Sequence, residues 1–295
     1  MNSAIVEVDK LRREFGDKVA LRNISLTIPQ GGVFGLVGGN GAGKTTLIKH
    51  ILGLYRPQSG TVRVMGIDPT ADPPAVLKQV GYLSEDRDLP GWMQIQELMS
   101  YLRAFYPDWD DRFVGELMEM FDLRPQQLIK SLSRGQLARV GLLAALAHRP
   151  KLLLLDEPSS GLDPVVRRDI LGAVIRTVAD EGRTVIFSSH LLDEVERVAD
   201  RVAMLHAGAV VLDDTLENLK TERRVLTLRF TIVSANPPMI AGALPLTGEG
   251  REWKYLTHEP LERVRRDLQQ QSAELIDELP PSLEEIFVGC SGGRT

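Results

Sequence analysis

Main-chain amides can wrap a dense anion such as a polyphosphate only where side chains are absent or unusual backbone angles are tolerated. Gly38, Gly41 and Gly43 meet that need within the run Gly38-Gly39-Asn40-Gly41-Ala42-Gly43-Lys44-Thr45-Thr46. In such a loop Lys44 would sit between the outer two phosphates and the Thr45 hydroxyl would ligate magnesium. The helix that follows turns its positive N-terminal end toward the same charge. The stretch reads as a nucleotide site, against the plainer alternative of a glycine-rich turn with an incidental lysine.

Two further stretches carry groups suited to the same chemistry. Leu152-Leu153-Leu154-Leu155 reads as a strand buried on both faces, and ionised carboxylates such as Asp156 and Glu157 are rarely placed at its end without a partner. A metal bound to phosphate supplies one: Asp156 would hold magnesium through its water shell, and Glu157 would polarise the water that attacks the terminal phosphate. Thr184-Val185-Ile186-Phe187 is another buried strand, and it ends at Ser188-Ser189-His190, which brings His190 within reach of that phosphate. The other four histidines, His50, His148, His206 and His258, are read as structural. Ser133 and Gln136 have the spacing of a capping box; they read as a well-started helix, or as an anion site at its polarised start. Phe15, on an edge strand ahead of the loop, either stacks on adenine or packs half-buried, and on its own the residue favours packing.

The elements that must position these groups are legible from periodicity. Val33-Phe34-Gly35-Leu36-Val37 reads as a strand into the glycine loop, and Leu47 to Leu52 as a helix closed by Gly53. Ile5 to Val8 and Ile24 to Ile28 alternate apolar with polar residues, as antiparallel strands with one wet face do. Thr61 to Val64 and Val80 to Leu83 are strands, the latter running into Ser84-Glu85-Asp86. Helical stripes follow, Ile95, Leu98, Met99, Leu102 and Phe105, then Phe113, Leu117, Met120 and Phe121, broken at Pro107-Asp108-Trp109. These apolar stripes are read as core. The helical subdomain therefore spans about 86–148 within a domain of 1–220. Val202 to Leu212 reads as a hairpin around Gly208. From 222 to 295 a small α+β appendage is expected, with strands at Val225 to Val233 and Trp253 to Leu256. Asn236-Pro237-Pro238 and Thr247-Gly248-Glu249-Gly250 read as loops, and Leu261 to Gln271 and Ser282 to Phe287 as helices.

Composition narrows the functional classes. A hydrophobic content of 43%, a charged content of 25% and a net charge of -5 over 295 residues suit a soluble globular protein and argue against a strongly basic nucleic-acid binder. With Cys290 the single cysteine, no internal disulfide is possible and a reducing cytosol is expected. The start, Met1 to Glu7, lacks the pattern of a signal peptide, and no apolar run is long enough to cross a bilayer, so a membrane role would come through a partner.

Taken together, GGNGAGKTT at 38, LSRGQ at 132, LLLLDEP at 152, SGLD at 160 and SSH at 188 make residues 1 to about 220 resemble the ATP-binding subunit of an ATP-binding cassette transporter. The tail, with PSLEEIFV at 281, resembles that of bacterial export-type subunits. The resemblance implies an α/β, P-loop NTPase (RecA-like) core with an antiparallel β subdomain and an inserted helical subdomain. It implies ATP and Mg2+ as ligands, and two subunits meeting head to tail as a homodimer or as a heterodimer with a related chain. Ser133, Gly135 and Gln136 would then face Lys44 of the partner across the interface. Phe15 becomes the adenine platform and His190 the phosphate sensor. A membrane permease would dock near residues 85 to 105, which places the protein on the cytoplasmic face of the membrane with no nucleic-acid partner. A soluble cassette ATPase acting on ribosomes or DNA is the alternative, but such translation factors carry two cassettes per chain and the repair branch carries long coiled coils. A small-molecule kinase leaves the signature stretch and Glu157 unexplained.

Three positions depart from the family pattern. Gly39 stands where proline is common, Glu85 where a magnesium-contacting glutamine is usual, and Arg134 where the first signature glycine falls. Two unit charges in contact interact by about 4 kcal/mol at an intermediate dielectric, so Glu85 beside a terminal phosphate must be offset or turned away. The expectation is that magnesium or Arg87 offsets it, with Arg134 of the partner chain adding compensating charge.

Overall fold

The structure, a computed structural model, describes residues 4–106 and 109–292, with side chains throughout these except at 177–181, 269–270 and 291–292. Met1 to Ser3 at the start, and Pro107 and Asp108 of the expected break, lie outside the described residues. The chain divides into two compact units, Met1–Val210 and Val211–Thr295.

The first unit opens with β1 (Ala4–Phe15), β2 (Lys18–Pro29), β3 (Gly32–Val37), α1 (Lys44–Ile51), β4 (Ser59–Val64), α2 (Pro73–Leu77) and β5 (Val80–Leu83). Three helices follow, α3 (Ile95–Arg103), α4 (Asp111–Met120) and α5 (Arg134–Leu146). The chain then alternates through β6 (Leu152–Asp156), α6 (Pro164–Glu181), β7 (Thr184–Ser189), α7 (Leu192–Val198), β8 (Arg201–His206) and β9 (Ala209–Thr215).

β2, β1 and β4 form an antiparallel sheet in that order. The alternation read in β1 is the buried face, with Val6, Val8 and Leu11 inside and Glu7 outside. The second sheet runs β5-β6-β7-β3-β8-β9, with β5, β6, β7, β3 and β8 parallel. Every residue of β6 and β7 is buried, which is why those strands read as unbroken apolar runs. One core joins the two sheets through Leu11, Leu26, Phe34, Leu47, Leu154 and Ile186.

This strand order decides where function can sit. β3, β7, β6 and β5 are neighbours, with Val37 beside Ser189, Ser188 beside Asp156, and Leu155 beside Leu83. Their C-terminal ends therefore deliver the glycine loop, His190, Glu157 and Glu85 to one rim, the usual ligand side of an open parallel sheet.

In the helical insertion Ile95, Leu98, Met99, Leu117 and Phe121 are buried as expected. Phe105 and Met120 are not core: they are 55% and 41% exposed, because α3 ends at Arg103 and Met120 is the last residue of α4.

The second unit contains α8 (Leu216–Thr221), β10 (Arg224–Ser234), β11 (Ala243–Thr257), α9 (Leu261–Gln270), β12 (Ala273–Leu279) and α10 (Leu283–Gly292). Its antiparallel sheet, β11-β10-β12, packs Leu226, Leu228, Phe230, Trp253 and Tyr255 against Val264 and Leu268 of α9. Two expectations are corrected here. Thr247 to Gly250 is not a loop but runs inside β11, and the irregular pairing between Arg229 and Ser234 lets two glycines sit in a strand. β12 was not anticipated, because most of this edge strand is exposed, Ile276 and Leu279 included, and only Ala273 and Leu275 pack on the core.

Candidate active site

The glycine loop leaves β3 and tightens into α1 through two left-handed residues, Gly41 at φ +77 and Gly43 at φ +112. At Gly43 a Cβ would lie 2.7 Å from the Ala20 carbonyl oxygen, so the glycine is demanded by space as well as by backbone angle. Gly39 has neither constraint, since a Cβ there would meet nothing within 4 Å. The loop lines a cavity of about 310 Å³ together with Phe15, Lys18, Ala20, Glu85 and Glu157. Asn40 to Thr46 all line it; Gly38 and Gly39 contribute carbonyls behind it.

Lys44 is buried, with its Nζ donating to the carbonyls of Gly38 (2.6 Å) and Gly39 (3.3 Å). The same ammonium lies 2.9 Å from Glu157 Oε1, an ion pair without the alignment of a hydrogen bond. The other Glu157 oxygen accepts from His190 Nδ1 at 2.7 Å and from the His190 amide at 3.3 Å. Glu157 itself has φ +47, a left-handed backbone unusual for a side chain of this size. Its amide donates to Ser188 Oγ at 3.0 Å, and that hydroxyl donates in turn to Asp156 Oδ1 at 2.7 Å. One serine on β7 thus orients both Asp156, the last residue of β6, and Glu157, the residue after it.

Asp156 is buried, which pushes its carboxyl above the ordinary carboxylate range, while hydrogen bonds from Ser188 and Thr45 pull it down. Its Oδ2 has no partner among the described residues. A buried carboxylate oxygen left over beside a hydroxyl is the donor set a hard divalent cation takes, so these residues fit magnesium.

Phe15 lines the cavity and is 41% exposed, so a face remains for a flat ligand. It also packs: Tyr55 meets it edge-on at 5.6 Å and the Arg13 guanidinium lies 4.6 Å from its centroid. Glu85 reaches the cavity, and two residues on burial pushes the Arg87 pKa below its ordinary value, with Glu85 raising it and Arg134 lowering it. Arg87 Nη2 donates to the carbonyls of Ser160 (2.7 Å) and Pro158 (3.1 Å).

Ser133, Gly135 and Gln136 do not line this cavity. Ser133 and Gln136 satisfy each other at the start of α5, with Ser133 N to Gln136 Oε1 at 3.0 Å and Gln136 N to Ser133 Oγ at 3.2 Å. A Cβ on Gly135 would lie 2.8 Å from Val166 Cγ2, so this glycine allows α5 to approach α6. Within the rim, sequence reasoning missed Ser188 as the link between the carboxylates and Lys18 as a wall of the cavity. Ser188 lies inside a stretch singled out for its histidine, and only the β6–β7 register reveals what its hydroxyl does. Lys18 has no spacing that marks it.

The ABC transporter family profile matches residues 21–160. The ABC transporter ATP-binding protein YtrB of Bacillus subtilis (strain 168) is 29% identical over 296 residues, covering 98% of this chain and 99% of that protein. The daunorubicin resistance ATP-binding protein DrrA3 of Streptomyces coeruleorubidus is 32% identical over 99% of this chain and 97% of its own length. Among solved structures, an ATP-binding subunit of an ABC transporter superposes with a TM-score of 0.68 at 28% identity, covering 73% of this chain and 92% of the other.

Proposed function

The chain belongs to the ABC transporter family of ATP-binding proteins, and from that premise we propose that it hydrolyses ATP to drive a separate membrane permease, in the direction of export. The observation that carries the hydrolytic half is Glu157, buried at the cavity wall with Lys44 on one oxygen and His190 on the other. A carboxylate so held accepts a proton from an attacking water, and His190 keeps it aimed. Lys44, the loop amides of Gly38 to Thr46 and the N-terminus of α1 supply positive potential for phosphate. Phosphate entering the loop competes with Glu157 for the Lys44 ammonium and so frees the carboxylate for water. Phe15 is the proposed adenine platform.

Thr45, Asp156 and Glu85 are the proposed magnesium ligands, and Glu85 lines the same cavity as Thr45. When bound, magnesium would offset phosphate charge at these residues, and one or two protein carboxylates are enough to hold it. Ser133, Gly135 and Gln136, solvent-facing or packed on α6 in one chain, are proposed to close the cavity of a second copy or related subunit. The daunorubicin-resistance relative supports export. No described helix is long and apolar enough to cross a membrane; the family supports a proposed site of action at the cytoplasmic face of the membrane beside an integral-membrane permease.

The test is Glu157→Gln. ATP binding measured by titration stays within a few-fold of wild type, while turnover falls about 10²- to 10⁴-fold, the range a positioned base contributes. Undiminished turnover in this variant would remove Glu157 from the mechanism.

A further inference from the structure

We infer that Arg87 is a positioning residue for hydrolysis, clamping the turn that follows Glu157 to the turn that carries Glu85. The inference rests on the hydrolytic reading above. Pro158 and Ser160, whose carbonyls the guanidinium holds at 3.1 and 2.7 Å, lie more than seventy positions away in sequence. The two loops leave the neighbouring strands β5 and β6, so the clamp joins two walls of one cavity.

Both ends of the clamp are pre-set. On the β6 side the Ser160 amide donates to the Glu157 carbonyl at 3.1 Å, closing the turn. On the β5 side the Arg87 amide donates to the Ser84 carbonyl at 3.3 Å, and Arg87 sits at φ +51. A non-glycine residue keeps a left-handed backbone where its surroundings hold it there, and such residues gather at functional sites. Nη2 thus serves two backbone carbonyls, Nε has no partner among the described residues, and the charge acts on nearby Glu85.

Glu85, Asp156 and Glu157 bring three carboxylates to one rim, and phosphate adds more negative charge. Arg87 sets the position of the turn bearing Glu157 while placing a cation beside Glu85. Releasing it lets the base drift without removing any group that touches nucleotide, which predicts a loss in kcat rather than in binding.

Steady-state ATP turnover of the purified full chain is compared for wild type, Arg87→Lys and Arg87→Ala, each with a binding titration using a fluorescent ATP analogue and a melting curve. Arg87→Ala is expected to lower kcat by about tenfold to 100-fold, the cost of a small misplacement of a catalytic group. Its affinity for the analogue stays within about twofold, since ground-state contacts are untouched. Arg87→Lys, which keeps the charge, recovers part of the loss. An Arg87→Ala protein as fast as active wild type would overturn the inference alone, as would parallel losses of kcat, affinity and melting temperature that Lys does not relieve. Wild type without any turnover would overturn the hydrolytic reading and the inference together.

Discussion

Asp156 is buried at the end of β6 with one oxygen tied to Ser188 and the other without a partner among the described residues. Burial raises its pKa, so the folded protein favours the protonated form and the ionised form at neutral pH costs stability; that cost disappears as pH falls below the ordinary carboxylate value. Asp156→Asn is therefore expected to raise the melting temperature of the nucleotide-free protein by about 2–4 °C, on the order of 1 kcal/mol. The same variant should lose the extra stabilisation that MgATP gives over ATP with chelator. Scanning calorimetry with and without Mg2+ checks both. At this scale Lys44, Asp156 and Glu157 were legible because their neighbours in sequence fix their places. Ser188 was not, and Arg87 was singled out only as a charge beside Glu85, since a hydroxyl bridging two strands, or a guanidinium bridging two loops, leaves no mark in local spacing.

Elements carry the rim. α1 starts at Gly43, where a side chain would strike the Ala20 carbonyl and the backbone is left-handed. Gly43→Ala is expected to destabilise the fold by about 1–3 kcal/mol and to abolish nucleotide-dependent stabilisation, both read from urea unfolding with and without MgATP. Between β5 and the helical insertion, His148 stacks on Tyr106 at 3.9 Å with its Nε2 3.3 Å from the Val80 carbonyl. Burial lowers its pKa from 6.5 to about 4, so it folds as the neutral ring. The depressed value means its contribution is complete above pH 6.5 and is lost as pH falls toward about 4. Thermal melts over that window should fall more steeply for wild type than for His148→Gln; equal slopes would contradict the assignment. Strands of the two sheets in the first unit were readable because alternation and unbroken apolar runs report one-sided and two-sided burial. β11 before Trp253 and all of β12 resisted the same reading, the first because glycines occupy its irregular stretch, the second because this edge strand packs only Ala273 and Leu275 on the core.

At the scale of the whole molecule, each unit has a core of its own, and in the second the Tyr255 hydroxyl donates to the Pro238 carbonyl at 2.7 Å. Tyr255→Phe should cost about 1 kcal/mol of stability and leave ATP turnover unchanged, since it removes one internal hydrogen bond and no group of the rim. The family's motif order was legible from sequence, whereas the proposed completion of the cavity by a partner would be a property of two chains. The composite pocket is the central claim, and mixing two inert variants tests it most directly. Lys44→Ala disables the loop of one chain, Ser133→Arg disables the helix start of the other, and only a mixed pair regains one intact loop facing one intact α5. The account predicts that each variant alone is inactive and that the mixture regains ATP turnover. A mixture as inert as its components, or a monomeric Ser133→Arg protein at wild-type speed, would contradict it.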